Sequence, residues 1–185
     1  MAKKVNREEV LDYQTYSDTR EELRAPAQVA KSVRRIHLGP HLTFLFENHL
    51  TTLYQIQEMM RVERIVKEAD IQHEIDTYNG LLADPGNLSC TLLIEIPEPE
   101  VRDQLLRDWL GLEKHLYVKT RSGERGMAQF DAGQVGSDRL SSVQYLKFSL
   151  QGHDPVAIGC DFPLYRHEQE LTEEQRQALQ QDMQE

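Results

Sequence analysis

Apolar residues recur at helical spacing between His49 and Lys67, where Leu53, Ile56 and Met60 share one face and Met59, Val62 and Val66 widen it. The spacing predicts a long helix with apolar coverage wide enough to touch several neighbours. In "ADIQHEIDTYNGLLADPGN", Ile71, Ile75, Tyr78 and Leu82 form a second helical face that ends at "DPG". No linker separates the two, which leaves one bent helix or a tight helical pair.

Upstream, Asn6 with Glu9 three residues later is a helix-start signal and predicts a short helix through "REEVLDYQTY". Ser17 is a candidate cap for a further helical piece, which Pro26 should interrupt before "AQVAKSVRR" resumes. The period then changes. In "RIHLGPHLTFLFEN", Gly39-Pro40 divides two aliphatic and aromatic runs and predicts strand, turn, strand, although "HLTFLFEN" also reads as the approach to the long helix.

After residue 87, "LSCTLLIEI", "HLYVKT", "GMAQF", "VQYLKFSL" and "PVAIGCDF" are strand candidates, and "EPEVRDQLLRDWLGL" is an amphipathic helix anchored by Trp109. Alternation in "VQYLKFSL" favours an antiparallel sheet with one face covered by helices. The expected fold is therefore α+β, with N-terminal and central helices packed against a mostly antiparallel C-terminal sheet. Residues 1–166 read as a single α+β domain, helical over about 6–84 and sheet over about 88–166. Residues 167–185 read as an acidic peripheral helix or frayed tail, with Thr172 as its cap.

Composition narrows the class. The 185 residues, 39% of them hydrophobic, supply a core without metal or disulfide staples. Cys90 and Cys160 are too far apart in sequence to read as a close metal-binding pair, and they read as reduced, buried thiols. No apolar run reaches membrane-spanning length and "MAKKVNREEV" lacks the hydrophobic part of a secretion signal, so a cytoplasmic chain with no membrane partner is expected. Twenty-one lysines and arginines against 31 acids give a net charge of −10, which argues against nucleic-acid binding. That charge is uneven: residues 167–185 hold one basic and six acidic residues, whereas residues 1–40 hold eight basic and six acidic. Arg35, in "SVRRIHLGPHL", is a candidate anion contact.

Tyr54, Glu58 and Arg61 fall on one stripe of the long helix, so Glu58 and Arg61 can pair and are expected to meet the second helix near Glu74 or Tyr78. The pair serves either as a brace or as a holder for an anionic ligand. Glu63 projects between apolar directions and needs a partner if buried. Gathered by the helices, Glu47, Glu58, Glu63, His73 and Glu74 would suit a divalent metal, with Glu58, Glu63 and His73 as the candidate ligands. Against this, the paired Glu-x-x-His segments of diiron bundles and the HExxH zinc signature are both absent. There is also no nucleotide-phosphate loop and no GxSxG elbow.

"RRIHLGPHLTFLFEN", "YQIQEMMRVERI", "IQHEIDTYNGLL" and "LSCTLLIEI" together resemble the bacterial domain-of-unknown-function family 3501 over nearly the whole chain. Members of that family are sometimes encoded near rubrerythrin-like and iron–sulfur oxidoreductase proteins, so the resemblance implies an accessory role in redox or iron metabolism. It assigns no catalytic residue. The resulting expectation is a non-enzymatic accessory or binding protein that engages a protein partner or small metabolite and is compatible with homo-oligomers. Its candidate contacts are Arg35, Glu47, Tyr54, Glu58, Arg61, Glu74, Tyr78 and Asn79. The alternative is a metal-dependent redox or hydrolytic enzyme using the carboxylate and histidine set.

Overall fold

Asn6 and Glu9 form their reciprocal cap, but around a single 3-10 turn at Arg7–Glu9. In the computed structural model, which describes residues 3–134 and 136–185, helix α1 begins only at Tyr13 and runs to Ser32. Tertiary contacts keep the preceding segment out of a helix. The Asn79 side-chain amide accepts from Val5 N–H and donates to Val5 C=O, both at 2.9 Å. Gln57 does the same for Leu11, at 2.7 and 3.0 Å. Each amide stands in for a missing peptide partner, and the segment lies as a strap over the helices.

Asp12 caps α1 by accepting from the Gln14 and Thr15 backbone N–H groups. Ser17 lies inside the helix and donates to Tyr13 C=O rather than capping. Pro26 is also internal, contrary to the expected break. Proline removes a bond to the carbonyl four residues earlier, here that of exposed Glu22, which water can satisfy. Buried Tyr16 and Ala27 hold the helix against its neighbours on either side of the defect.

Helix α2 spans His49–Glu63 and stops at Arg64, whose left-handed φ of 52° turns the chain into α3, Glu68–Leu81. The two are therefore separate helices. Ile56, Met60, Ile71 and Ile75 bury together with Val5 and Val10 of the strap. Val62 and Val66 are 66% and 67% exposed, so the apolar face is narrower than the spacing predicts.

The remaining strands are β1 (Arg35–Leu38), β2 (Leu42–Phe46), β3 (Asn87–Ile94), β4 (Leu116–Thr120), β5 (Arg125–Gln129), β6 (Val143–Ser149), β7 (Pro155–Phe162) and β8 (Tyr165–Glu170). They form one eight-stranded sheet in the order β1-β2-β3-β6-β5-β4-β7-β8. Every neighbouring pair is antiparallel. The sheet curls until its edges approach each other, and the Tyr165 hydroxyl spans them by donating to Leu38 C=O at 2.6 Å and accepting from His41 N–H at 3.0 Å. At the β1–β2 turn Gly39 has φ +63°, and a Cβ there would lie 2.6 Å from Tyr165 Oη.

Inside the curl, Phe44, Leu92, Phe148 and Ile158 share one core with Leu106 and Trp109 from α4 (Pro99–Asp108) and its C-cap. Leu179 and Met183, from α5 (Glu173–Asp182) and its C-cap, join the same core. The fold is α+β, with helices packed against an antiparallel sheet. The boundary expected near residues 84–88 does not divide helices from sheet, because β1 and β2 enter it from the first half of the chain. Residues 167–185 are likewise not peripheral: β8 continues through Glu170 and α5 is docked by its buried leucine.

The Arg34 guanidinium donates twice to the Asp182 carboxylate, at 2.7 Å on both arms, with the side chains 8% and 4% exposed. Asp182→Asn leaves Arg34 buried without its counter-charge and is expected to destabilise the fold by about 3–5 kcal/mol in urea unfolding. The double variant Arg34→Met/Asp182→Leu should recover most of that loss. A single-variant effect within about 1 kcal/mol would show that solvent screens the pair.

Candidate functional site

The alternation that sends Phe44 and Phe46 into the sheet's core sends Leu45 to the opposite face, with Glu47 following just past the end of β2. Register places Leu45 beside Thr91 of β3, and Thr91 beside Tyr145 of β6, in one row across three strands. The helices cover this row from above without sealing it. A cavity of about 220 Å³ remains, roofed by Thr52 and Gln55 of α2 and by Tyr78, Leu81 and Leu82 at the end of α3, with Lys31 of α1 at its side. Val143 continues the floor along β6.

Among the described residues, Glu47 is the only carboxylate in this lining. It accepts from Thr51 Oγ1 at 2.5 Å and from Thr91 Oγ1 at 3.3 Å. Burial raises its pKa above the ordinary carboxylate value, against the lowering effects of the Thr51 hydroxyl, Lys31, Thr91 and Arg34. Its position is fixed from behind. Asn48 caps α2 by accepting from Thr51 N–H at 3.0 Å, and its amide donates to Asp182 at 3.1 Å. The Tyr78 phenol is also pushed up in pKa, chiefly by burial.

Of the residues singled out from sequence, Glu47 and Tyr78 meet in the cavity. Tyr54, Glu58 and Arg61 lie instead at the α1–α2 seam. Glu58 faces α1 rather than α3: it accepts from Arg20 Nε and Nη2 at 2.7 and 3.0 Å and from the Tyr16 hydroxyl at 2.7 Å. The expected Arg61 contact is only 3.5 Å, and Arg61 Nε is buried without a partner. Lys31 places its ammonium 4.8 Å from the Tyr54 ring centroid. Asn79 is committed to the strap, Glu74 is half-buried one turn before Tyr78, and Arg35 is exposed at the sheet edge.

The candidate metal set is dispersed. Glu58 is neutralised by Arg20, while Glu63 and His73 are both exposed on separate helices. Among the described residues, no group of three or more His, Cys, Asp or Glu is placed to hold a metal ion. Sequence reasoning missed Lys31, Gln55, Thr91 and Tyr145, whose meeting depends on cross-strand register and helix docking. The burial of Arg34 likewise depends on the docking of α5, which brings Asp182 to it.

Arg20, with the Tyr16 hydroxyl, holds the Glu58 carboxyl down to a pKa of about 2 from its ordinary 4.5. The stabilisation it confers is present above the ordinary value and is lost as pH falls toward about 2. In urea unfolding near neutral pH, Arg20→Ala and Glu58→Gln should be strongly non-additive, and the same cycle with Arg61→Ala should be nearly additive. The opposite ranking would restore Arg61 as the partner.

Residues 4–183 match the family model described as "Protein of unknown function (DUF3501)". A similar solved structure is the crystal structure of a novel protein of unknown function from Burkholderia pseudomallei K96243. It is 29% identical, with a TM-score of 0.87, and the match covers 96% of this chain and 98% of that one. No curated protein matches. Among the described residues, no helix is long and apolar enough to cross a membrane. Matched by this model over nearly all of its own residues, this chain belongs to the DUF3501 family.

Proposed function

We propose that this protein is a non-enzymatic binding protein that holds a small metabolite between its helical layer and the outer face of its sheet. The observation that carries the reading is the cavity over Leu45, Thr91 and Tyr145, which pairs apolar walls with a few convergent polar groups. Leu45, Leu81 and Val143 offer apolar contact, and Glu47, Gln55, Thr91 and Tyr78 offer hydrogen bonds that fix orientation. Among the described residues, the lining holds no histidine or cysteine, and its one carboxylate is engaged by hydroxyls rather than set beside a cysteine or histidine nucleophile. Binding accounts for these groups more simply than turnover does. Two buried free thiols, Cys90 and Cys160, support placing this activity in the cytoplasm.

The test is to equilibrate the full chain with the low-molecular-weight fraction of its source cells, remove unbound material and record native mass spectra. The wild type is expected to retain a small-molecule adduct. Val143→Trp, which fills the cavity from a partly exposed position, should lose the adduct while keeping its melting temperature. Absence of any adduct on the wild type, or equal retention by the variant, would reject the proposal.

A further inference from the structure

We infer that the cavity selects a small organic cation, an ammonium group on a body about the size of one six-membered ring, with Glu47 as its counter-ion. The inference rests on the binding reading above and adds the chemistry of the ligand. Glu47 is half-buried, and its hydrogen-bond partners are two neutral hydroxyls. A carboxylate in that setting gains most from a cation. Lys31 and Arg34 favour the ionised form of Glu47 from a distance, but their direct contacts are elsewhere: Lys31 sits over the Tyr54 ring and Arg34 is held by both oxygens of Asp182. With one bond at 3.3 Å, Glu47 Oε1 retains acceptor capacity toward a ligand.

The surrounding lining suits the same ligand. Tyr78 and Tyr145 supply aromatic rings, which attract ammonium groups, and Leu45, Leu81 and Val143 supply apolar contact for the body. Size sets the limit. A cavity of about 150 Å³ is enough for benzene, so the 220 Å³ here accommodates a single ring with a short charged arm. Lys31 lies in the same lining and opposes a cation, which makes it a control on the assignment.

Benzylammonium, benzyl alcohol and benzoate share one ring and differ in the group offered to Glu47. Each is titrated into the full-length protein at one pH and ionic strength and followed by backbone amide shifts. Benzylammonium is expected to bind at least about tenfold more tightly than benzyl alcohol, with benzoate weakest. The shifts should centre on Glu47, Gln55, Tyr78 and Thr91. Glu47→Gln should weaken amine binding far more than alcohol binding, bringing the two to within about twofold of each other. Lys31→Met should strengthen amine binding, and this variant carries the test independently if Glu47→Gln does not fold.

Alcohol or benzoate binding as tightly as the amine would overturn the cation selection while leaving cavity binding intact. An amine preference that survives Glu47→Gln, or weakens in Lys31→Met, would overturn the assignment to Glu47. No saturable shift at the cavity with any probe would count against both the selectivity and the binding reading.

Discussion

The buried ion pair between Arg34 and Asp182 joins two distant parts of the chain around the shared core. Arg34 leads into the first strand, and Asp182 closes the last helix, 148 residues away. Burying two charges is costly unless their hydrogen-bonding capacity is met. Here it is met from three sides: the Arg34 guanidinium also donates to Ala30 C=O at 2.9 Å, and Asn48 donates to Asp182. Asn48 is the cap of α2, so the pair fixes the start of that helix as well as the end of the chain. Glu47 precedes Asn48, and its placement in the cavity wall follows from the same constraint.

The cavity arises because the molecule has two apolar cores rather than one. The curled sheet buries its inner face with α4 and α5, and the strap, α2 and α3 bury their own smaller core. Where these bodies meet, over Leu45, Thr91 and Tyr145, neither core demands complete closure. Polar side chains are tolerated there because hydroxyls and amides answer one another, as Thr51 and Thr91 do for Glu47. Elsewhere the same means fasten the helical layer, with Asn79 and Gln57 gripping the strap through its backbone.

Local periodicity made much of the fold legible. The alternation of "VQYLKFSL" and the helical spacing of Ile71 and Ile75 reflect which faces are buried, and both survive in the structure. Pro26 failed as a helix breaker because propensity is local, whereas Tyr16 and Ala27 are held by tertiary packing. The acidic tail misled for a related reason. Its composition is polar, but Leu179, Met183 and Asp182 are enough to dock it, and average polarity hides three well-placed side chains. For the site, Glu47 and Tyr78 stood out by residue type. Thr91 and Tyr145 could not, because only strand register brings them beside Leu45.

Glu58 shows how the right residue can be given the wrong partner. Helical spacing allows an Arg61 contact, but spacing only establishes reach. Arg20 arrives from another helix with a planar fork that matches both carboxylate oxygens, and the Tyr16 hydroxyl adds a third donor. This contact forms only because α1 remains in place along α2. Farther along α1, past Pro26, lie Lys31 in the cavity wall and Ala30, whose carbonyl receives Arg34. A helix ended at the proline would have removed both. The unbroken passage through Pro26 therefore links the Glu58 seam, the buried ion pair and the cavity, and the exposed Glu22 carbonyl is where the chain accommodates it.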